Sequence, residues 1–188
     1  DVSPEPTLRL SQTNLVRTTT QGTDAGPQAF EVWNDANPDY YVFGMTFYIT
    51  SSAPWLISSP TGGVSFGNHV TVTNIFHTAA VLGAGSHTAT LTVHASSSDF
   101  PDYVVTNSPQ QIAVTVTVNA LPGLMRSPAV LTNFTTIGFN APTRDVLVWN
   151  NSPEPRIPLN FTVATNAEWM SADPLSGSSM GEPVPISV

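Results

Sequence analysis

The chain has 188 residues, a net charge of −8, no lysine and no cysteine. Its five cations, Arg9, Arg17, Arg126, Arg144 and Arg156, stand singly, so there is no basic stripe to displace counterions from a nucleic acid or to draw the chain to an anionic bilayer. Without cysteine there are no disulfides, thiolate metal sites or cysteine nucleophiles, and no apolar run has the length of a membrane-spanning helix.

The chain opens on D-V-S-P-E-P, an extended leader stiffened by two prolines. Thr7-Leu8-Arg9-Leu10-Ser11 alternates apolar and polar and reads as a first strand. Residues 18–28 are Thr/Gly-rich and read as a loop. Residues 29–33 form a strand with Phe30 and Val32 on one face, and N-D-A-N-P-D at 34–39 is turn chemistry. Residues 44–50 alternate cleanly, with Met45, Phe47 and Ile49 inward and Thr46, Tyr48 and Thr50 outward. Alternation returns at 69–73, at 86–94 with Ala89, Leu91 and Val93 on one face, and at 110–118 with Ile112, Val114, Val116 and Val118 on one face. Strands at short spacing with no amphipathic helix predict an antiparallel β-sandwich.

The pattern then repeats. Trp55 to Gly67 reads W-L-I-S-S-P-T-G-G-V-S-F-G, and Trp169 to Gly181 reads W-M-S-A-D-P-L-S-G-S-S-M-G, at a constant offset of 114. Trp55, Pro60, Gly63 and Gly67 thus match Trp169, Pro174, Gly177 and Gly181. Met45, Phe47 and Ile49 fall on Leu159, Phe161 and Val163, while Val70 and Val72 fall on Val184 and Ile186. Val32-Trp33-Asn34 matches Val148-Trp149-Asn150 at an offset of 116, so the intervening loop is two residues shorter in the second copy. The expected organisation is two tandem immunoglobulin-like sandwiches, residues 1–120 and 121–188, joined through N-A-L-P-G at 119–123. Both tryptophans are expected to be buried.

The second copy is expected to be truncated. Val188 aligns with Asn74, so the counterparts of 75–120, including two strands, are absent, and a sandwich without them exposes apolar core and unpaired edges. Either a longer protein has been trimmed, or a neighbour fills the gap in trans. The donor candidate is Thr7-Leu8-Arg9-Leu10-Ser11, unless that segment is the first domain's own strand.

The run Trp55-Leu56, Pro60, Gly63 and Gly67, then Val70 and Val72, then Gly85-x-His-Thr-Ala-Thr-Leu-Thr-Val, resembles the BACON family of immunoglobulin-like domains. The likeness covers most of 30–118 and then 146–188. It departs at His87, where the family often has Tyr, and in a longer excursion at 96–110. It implies a module of secreted, surface or phage-tail proteins with a spacer or carbohydrate-binding role, and it supplies no catalytic residues.

Single motifs were weighed against structural readings. Gly63-Val64-Ser65-Phe66-Gly67 and Gly177-Ser178-Ser179-Met180-Gly181 match the G-x-S-x-G of hydrolases, but a strand rather than a helix follows, so a turn is expected. His69, His77, His87 and His94 form no ligand spacing, and Asp35, Asp39, Asp99 and Asp102 form no calcium ladder. No metal or other cofactor is expected. Trp33, Trp55, Trp149 and Trp169 recur in both copies and are assigned to packing. Tyr40, Tyr41, Phe100 and Tyr103, off the repeat, are the candidate glycan platform. Asn133, Asn150 and Asn160 head N-x-S/T triplets.

With charged residues at 10 % and no catalytic constellation, the functional expectation is a noncatalytic extracellular or cell-surface module of a stalk, sheath or filament. Its expected partners are identical subunits or neighbouring repeats. The alternatives are a carbohydrate-binding or adhesion module and a phage or virion tail or decoration protein.

Overall fold

The computed structural model describes residues 5–35, 43–99 and 102–188. Those residues are strands, turns and irregular segments without a helix. The chain divides into two compact units, residues 1–118 and 119–188.

Among its described residues the first unit has nine strands: β1 (Leu8–Leu10), β2 (Asn14–Thr20), β3 (Ala25–Asn34), β4 (Met45–Ser51), β5 (Leu56–Ser59), β6 (Gly62–Ser65), β7 (Val70–Phe76), β8 (Gly85–Ser97) and β9 (Gln110–Asn119). They form one sheet of order β1-β3-β7-β5 and another of order β2-β9-β8-β4-β6. Strict alternation places one face of each strand between the sheets. Phe30, Val32, Met45, Phe47, Val72, Leu91, Val93, Ile112, Val114, Val116 and Val118 are all buried in one core. The faces read from the sequence for 44–50, 86–94 and 110–118 are those observed.

Two features differ from the sequence reading. The Thr-rich stretch expected as a loop is largely strand: β2 runs to Thr20 and β3 starts at Ala25, with a turn in which the Thr23 N–H donates to the Thr20 carbonyl at 3.0 Å. Gly22 sits there at φ +83°, in the left-handed region that glycine enters without steric cost. The Trp55 motif is also more than a turn. Its β5 half pairs with β7 in one sheet and its β6 half pairs with β4 in the other, so the motif carries the chain from sheet to sheet at Pro60 and Thr61. Thr7–Ser11, read as a first strand and alternatively as a donor, lies in the first unit's own sheet, with Leu8 opposite Asn34 and Leu10 opposite Val32 in an antiparallel pair with β3.

The second unit has five strands: β10 (Leu124–Ser127), β11 (Asp145–Asn150), β12 (Leu159–Thr162), β13 (Ser176–Ser179) and β14 (Val184–Ser187). They form the sheets β10-β11-β14 and β12-β13. Each register repeats one of the first unit at the sequence offset. Leu8 opposite Asn34 becomes Leu124 opposite Asn150; Val32 opposite Val70 becomes Val148 opposite Val184; Met45 opposite Ser65 becomes Leu159 opposite Ser179. The Ser59–Pro60 and Asp173–Pro174 peptide bonds, also equivalent, are both cis.

The repeat reaches further upstream than its tryptophans indicate. The turn at Thr136–Phe139 copies the one at Thr20–Thr23, with the Phe139 N–H donating to the Thr136 carbonyl at 3.0 Å and Gly138 at φ +87°. Yet residues 131–136, the sequence counterpart of most of β2, belong to no strand. In the first unit β2 is hydrogen-bonded to β9, and no strand of the second unit corresponds to β9.

The core of the second unit is small: Val148, Phe161 and Ile186 are buried, with Val146, Val163, Ala172, Val184 and Val188 packed partly against them. Trp169 is not part of it. Against the expectation of burial in both copies, Trp55 is 8 % exposed and Trp169 is 86 % exposed. The cause is pairing. Beside Trp55, Leu56 lies opposite Phe76, and the His77 N–H donates to the Trp55 carbonyl at 2.8 Å. In the second unit Met170–Ala172 belongs to no strand, and Asp173 forms an isolated antiparallel bridge with Ser187.

Candidate functional site

The most elaborate polar construction in the molecule occurs twice. Asn34 is buried at the end of β3, and its backbone N–H donates to Ser65 Oγ at 3.0 Å. The Asn34 side chain accepts from the Thr7 N–H at 2.8 Å and donates to the Phe43 carbonyl at 2.9 Å. Ser65 Oγ also accepts from the Gly67 N–H at 3.2 Å and donates to the Asn68 carbonyl at 2.7 Å. In the second unit, the Asn150 N–H donates to Ser179 Oγ at 3.1 Å, and Asn150 joins the Gly123 N–H and the Ile157 carbonyl, each at 3.0 Å. Ser179 Oγ accepts from the Gly181 N–H at 3.0 Å and donates to the Glu182 carbonyl at 2.7 Å. Each copy ties three separate chain segments together through buried polar groups, which would cost stability if left unpaired.

This network decides the G-x-S-x-G motif. Ser65 and Ser179 are both 0 % exposed. Their hydroxyls have one donor and two acceptor positions, all taken by backbone and the asparagine segment. Neither serine has a histidine within its network or a helix behind it, so neither is a presented nucleophile. The glycines are there for the fold. A Cβ on Gly63 would meet the Phe47 ring at 3.1 Å, and one on Gly177 would meet the Phe161 ring at 2.5 Å. Gly67 and Gly181 adopt φ +103° and +133°.

Glu182 closes the second copy. Its two carboxylate oxygens accept from the Met180 N–H at 2.9 and 3.0 Å, the place taken in the first copy by Asn68 Oδ1 on the Phe66 N–H. The bond from Met180, then its own backbone N–H and the nearby Arg156, hold the Glu182 carboxyl below its ordinary value of 4.5. A carboxylate whose pKa falls on folding contributes stability above the unfolded value and loses it as pH drops through the folded one. Glu182→Gln is therefore expected to lower the melting temperature of the second unit at neutral pH, with the gap to the native chain closing as pH falls below 4.5. A thermal-unfolding series from neutral to acid pH reads this; a gap that stays constant with pH would contradict it.

The histidines are used singly. His69 Nδ1 lies 2.9 Å from Glu31 Oε2, with its ring stacked on Trp33 at a centroid distance of 4.3 Å. His94 stacks on Tyr48 at 4.7 Å, two residues directly opposite each other on β8 and β4. His87 Nε2 lies 2.8 Å from the Gly83 carbonyl, and His77 lies 3.9 Å from Asp24. Among the described residues no three His, Cys, Asp or Glu side chains come together. Asp35 pairs with Arg9 at 2.9 Å and Asp99 accepts from the Gly44 N–H at 2.8 Å. Asp102 is exposed, and Asp39 lies outside the described residues.

Of the glycan-platform candidates, Tyr40, Tyr41 and Phe100 lie outside the described residues. Tyr103 is half-exposed, with its ring tilted 44° against Phe43 at 5.5 Å. The Tyr48–His94 pair is an exposed aromatic face that the sequence reading passed over, although its outward position on an alternating strand was visible.

What distinguishes the second unit is its open side. Among the described residues β12 pairs with β13 along one edge and with no strand along the other, whereas the equivalent β4 has β6 on one side and β8 on the other. Trp169 and Leu175 are exposed. Phe134, Ile137 and Phe139 are exposed too, at positions where the first unit has Thr18, Gln21 and Thr23.

No protein-family model matches the chain, and no curated protein does. Among solved structures, it is similar to the ASH / PapD-like domain 7 of human CEP192, with TM-score 0.50 and 13 % identity over 64 % of this chain and 90 % of that one. It is also similar to the YadV chaperone (TM-score 0.46, 9 % identity, 96 % of this chain and 84 % of that one). The Salmonella enterica SafA pilin in complex with the SafB chaperone is a further match (TM-score 0.48, 9 % identity, 78 % and 69 %). At such identities the likeness speaks for the backbone alone, and the backbone is an all-β, immunoglobulin-like fold.

Proposed function

We propose that the chain is a noncatalytic structural module that works by assembling with neighbouring polypeptides at the cell surface or outside the cell, as part of a stalk, sheath or filament. The observation that carries this reading is the repeated polar network: the motif serines are consumed by buried architecture in both units, which leaves them to hold the fold. The likeness to BACON modules at Trp55, Pro60, Gly63 and Gly67 agrees with such a role. Gold-labelled antibodies against the chain, imaged by electron microscopy on native cells or particles, test it. Label along a surface structure or a filament is expected, and label confined to the cell interior overturns the reading.

The second reading is glycan binding, favoured by the half-exposed ring of Tyr103. Saturable binding on a glycan array that is lost in Tyr103→Ala, with folding unchanged, would replace the first reading by this one.

A further inference from the structure

We infer that the outward strip of the first unit's five-stranded sheet formed by Phe66, Val64 and Tyr48 binds a neutral, linear oligosaccharide along its length. This rests on the glycan-binding reading above and gives it a different set of residues and a ligand class.

The strip follows from register. On the face turned away from the core, Tyr48 lies opposite Gly62 on β6 and opposite His94 on β8, and Thr46 lies opposite Val64 and Ser96. Tyr48, Val64 and Phe66 are 56, 44 and 56 % exposed. His94 is stacked on one face of the Tyr48 ring, at an interplanar angle of 9°. On the other side stands Gly62, which has no side chain to cover the second face. A Cβ there would meet the Phe47 carbonyl oxygen at 2.5 Å, so the position stays bare. At the far end the Phe66 ring lies over Gly44, where a Cβ would come within 2.7 Å of it. A strand advances about 3.4 Å per residue, so the Phe66 row and the Gly62–Tyr48 row are about 14 Å apart.

The fold does not ask for these side chains. In the second unit the same pairings carry Thr162 opposite Ser176 and Asn160 opposite Ser178, and the register is unchanged. The ligand class follows from what surrounds the strip. Strands β4, β6 and β8 hold no Asp, Glu, Lys or Arg, and Asp99, near the Phe66 end, accepts from the Gly44 N–H at 2.8 Å. An anionic polymer therefore meets no cation here. Thr46, Thr50, Thr92 and Ser96 place hydroxyls beside the apolar groups, with Thr50 opposite Thr92. The negative face of an aromatic ring attracts the polarised C–H groups on one side of a pyranose, and the neighbouring hydroxyls can donate to and accept from the sugar's own. Rings, a branched aliphatic and hydroxyls on an uncharged surface match a neutral sugar. The strip is longer than one sugar ring, so the ligand is a chain laid across it.

The probe is an array of neutral linear glucans, xylans, mannans and galactans together with sialylated and sulfated glycans. The full chain is compared with the double variant Tyr48→Thr, Val64→Ser, which takes the second unit's residues, and with Tyr103→Ala, each checked for folding by circular dichroism. Saturable binding of a neutral chain is expected, weakened about tenfold or more in the double variant and unchanged in Tyr103→Ala. Backbone amide resonances of the native chain, titrated with the glycan it binds, give an independent readout. Shifts are expected at 46–50 and 62–66, and shifts confined to other segments would overturn the inference whether or not the double variant folds. Binding kept in the folded double variant and lost in Tyr103→Ala would also overturn it, leaving the glycan reading in place at Tyr103. Binding confined to sialylated or sulfated glycans would overturn the ligand class and the inference with it. An absence of glycan binding by the native chain would remove both the inference and the reading it rests on.

Discussion

Val114→Asp is expected to unfold the first unit, whereas Thr115→Asp one residue along is expected to leave it folded. Val114 sits in the middle of β9, which lies between β2 and β8, opposite Ala89 and within the core. A carboxylate there is taken from water without a cation to meet it, since the unit's arginines, Arg9 and Arg17, are not among the core residues. An uncompensated buried charge costs about 3–5 kcal/mol or more, set against a total stability on the order of 5–15 kcal/mol for a domain of this kind. Thr115 points the other way, because side chains alternate along a strand. Circular dichroism with thermal melting separates the two variants. The opposite order would place β9 one residue out of register and send its whole apolar set to the wrong face.

The second large effect is a contrast between equivalent residues. Trp55→Ala is expected to cost about 3–5 kcal/mol, the range for deleting a large core aromatic. Trp169→Ala is expected to cost under about 0.5 kcal/mol, as for a surface substitution. The two share a motif and differ in surroundings: one belongs to the core cluster with Leu56 and Phe76, and the other is exposed. Urea denaturation of each variant measures the pair. Equal losses would mean that Trp169 is covered in solution.

These contrasts show where the sequence is transparent. Strands whose apolar residues alternate, at 45–51, 85–97 and 110–119, announce their inward faces because the core lies on one side of each. β2 does not, since Arg17 and three threonines leave Leu15 as its one buried residue. The Trp55 motif looked like a turn because its two strands are four residues each and belong to different sheets. Trp169 differs for another reason: a shared motif marks both positions, but burial depends on partners remote in the chain. The asparagine network was hidden differently. Asn34 reads as a turn residue and Asn150 as the head of an N-x-S/T triplet, although Ser65 and Ser179 recur with them in the repeat. That coincidence of polar residues was a signal in plain sight, and only the sheet pairing shows that the asparagines and serines meet. Tyr40, Tyr41 and Phe100 lie outside the described residues, so of the glycan platform only Tyr103 acquires a structural setting.

The asparagine network has a practical consequence for remaking the protein. In each copy it clamps both ends of the connection that leads from one sheet to the other: Asn34 holds the Phe43 carbonyl across nine positions, and Asn150 holds the Ile157 carbonyl across seven. The two connections differ in length by two residues, yet every strand on either side keeps its register. With the anchor points fixed, lengthening the span between them adds mainly closure entropy, about 0.6 kcal/mol for each doubling. Within the span between Asn150 and Ile157, the exposed Pro153–Glu154 step is thus the graft point for a foreign epitope or affinity tag, since Ser152 is buried and Asn151 and Pro155 are hydrogen-bonded to Gly123 and Ala120.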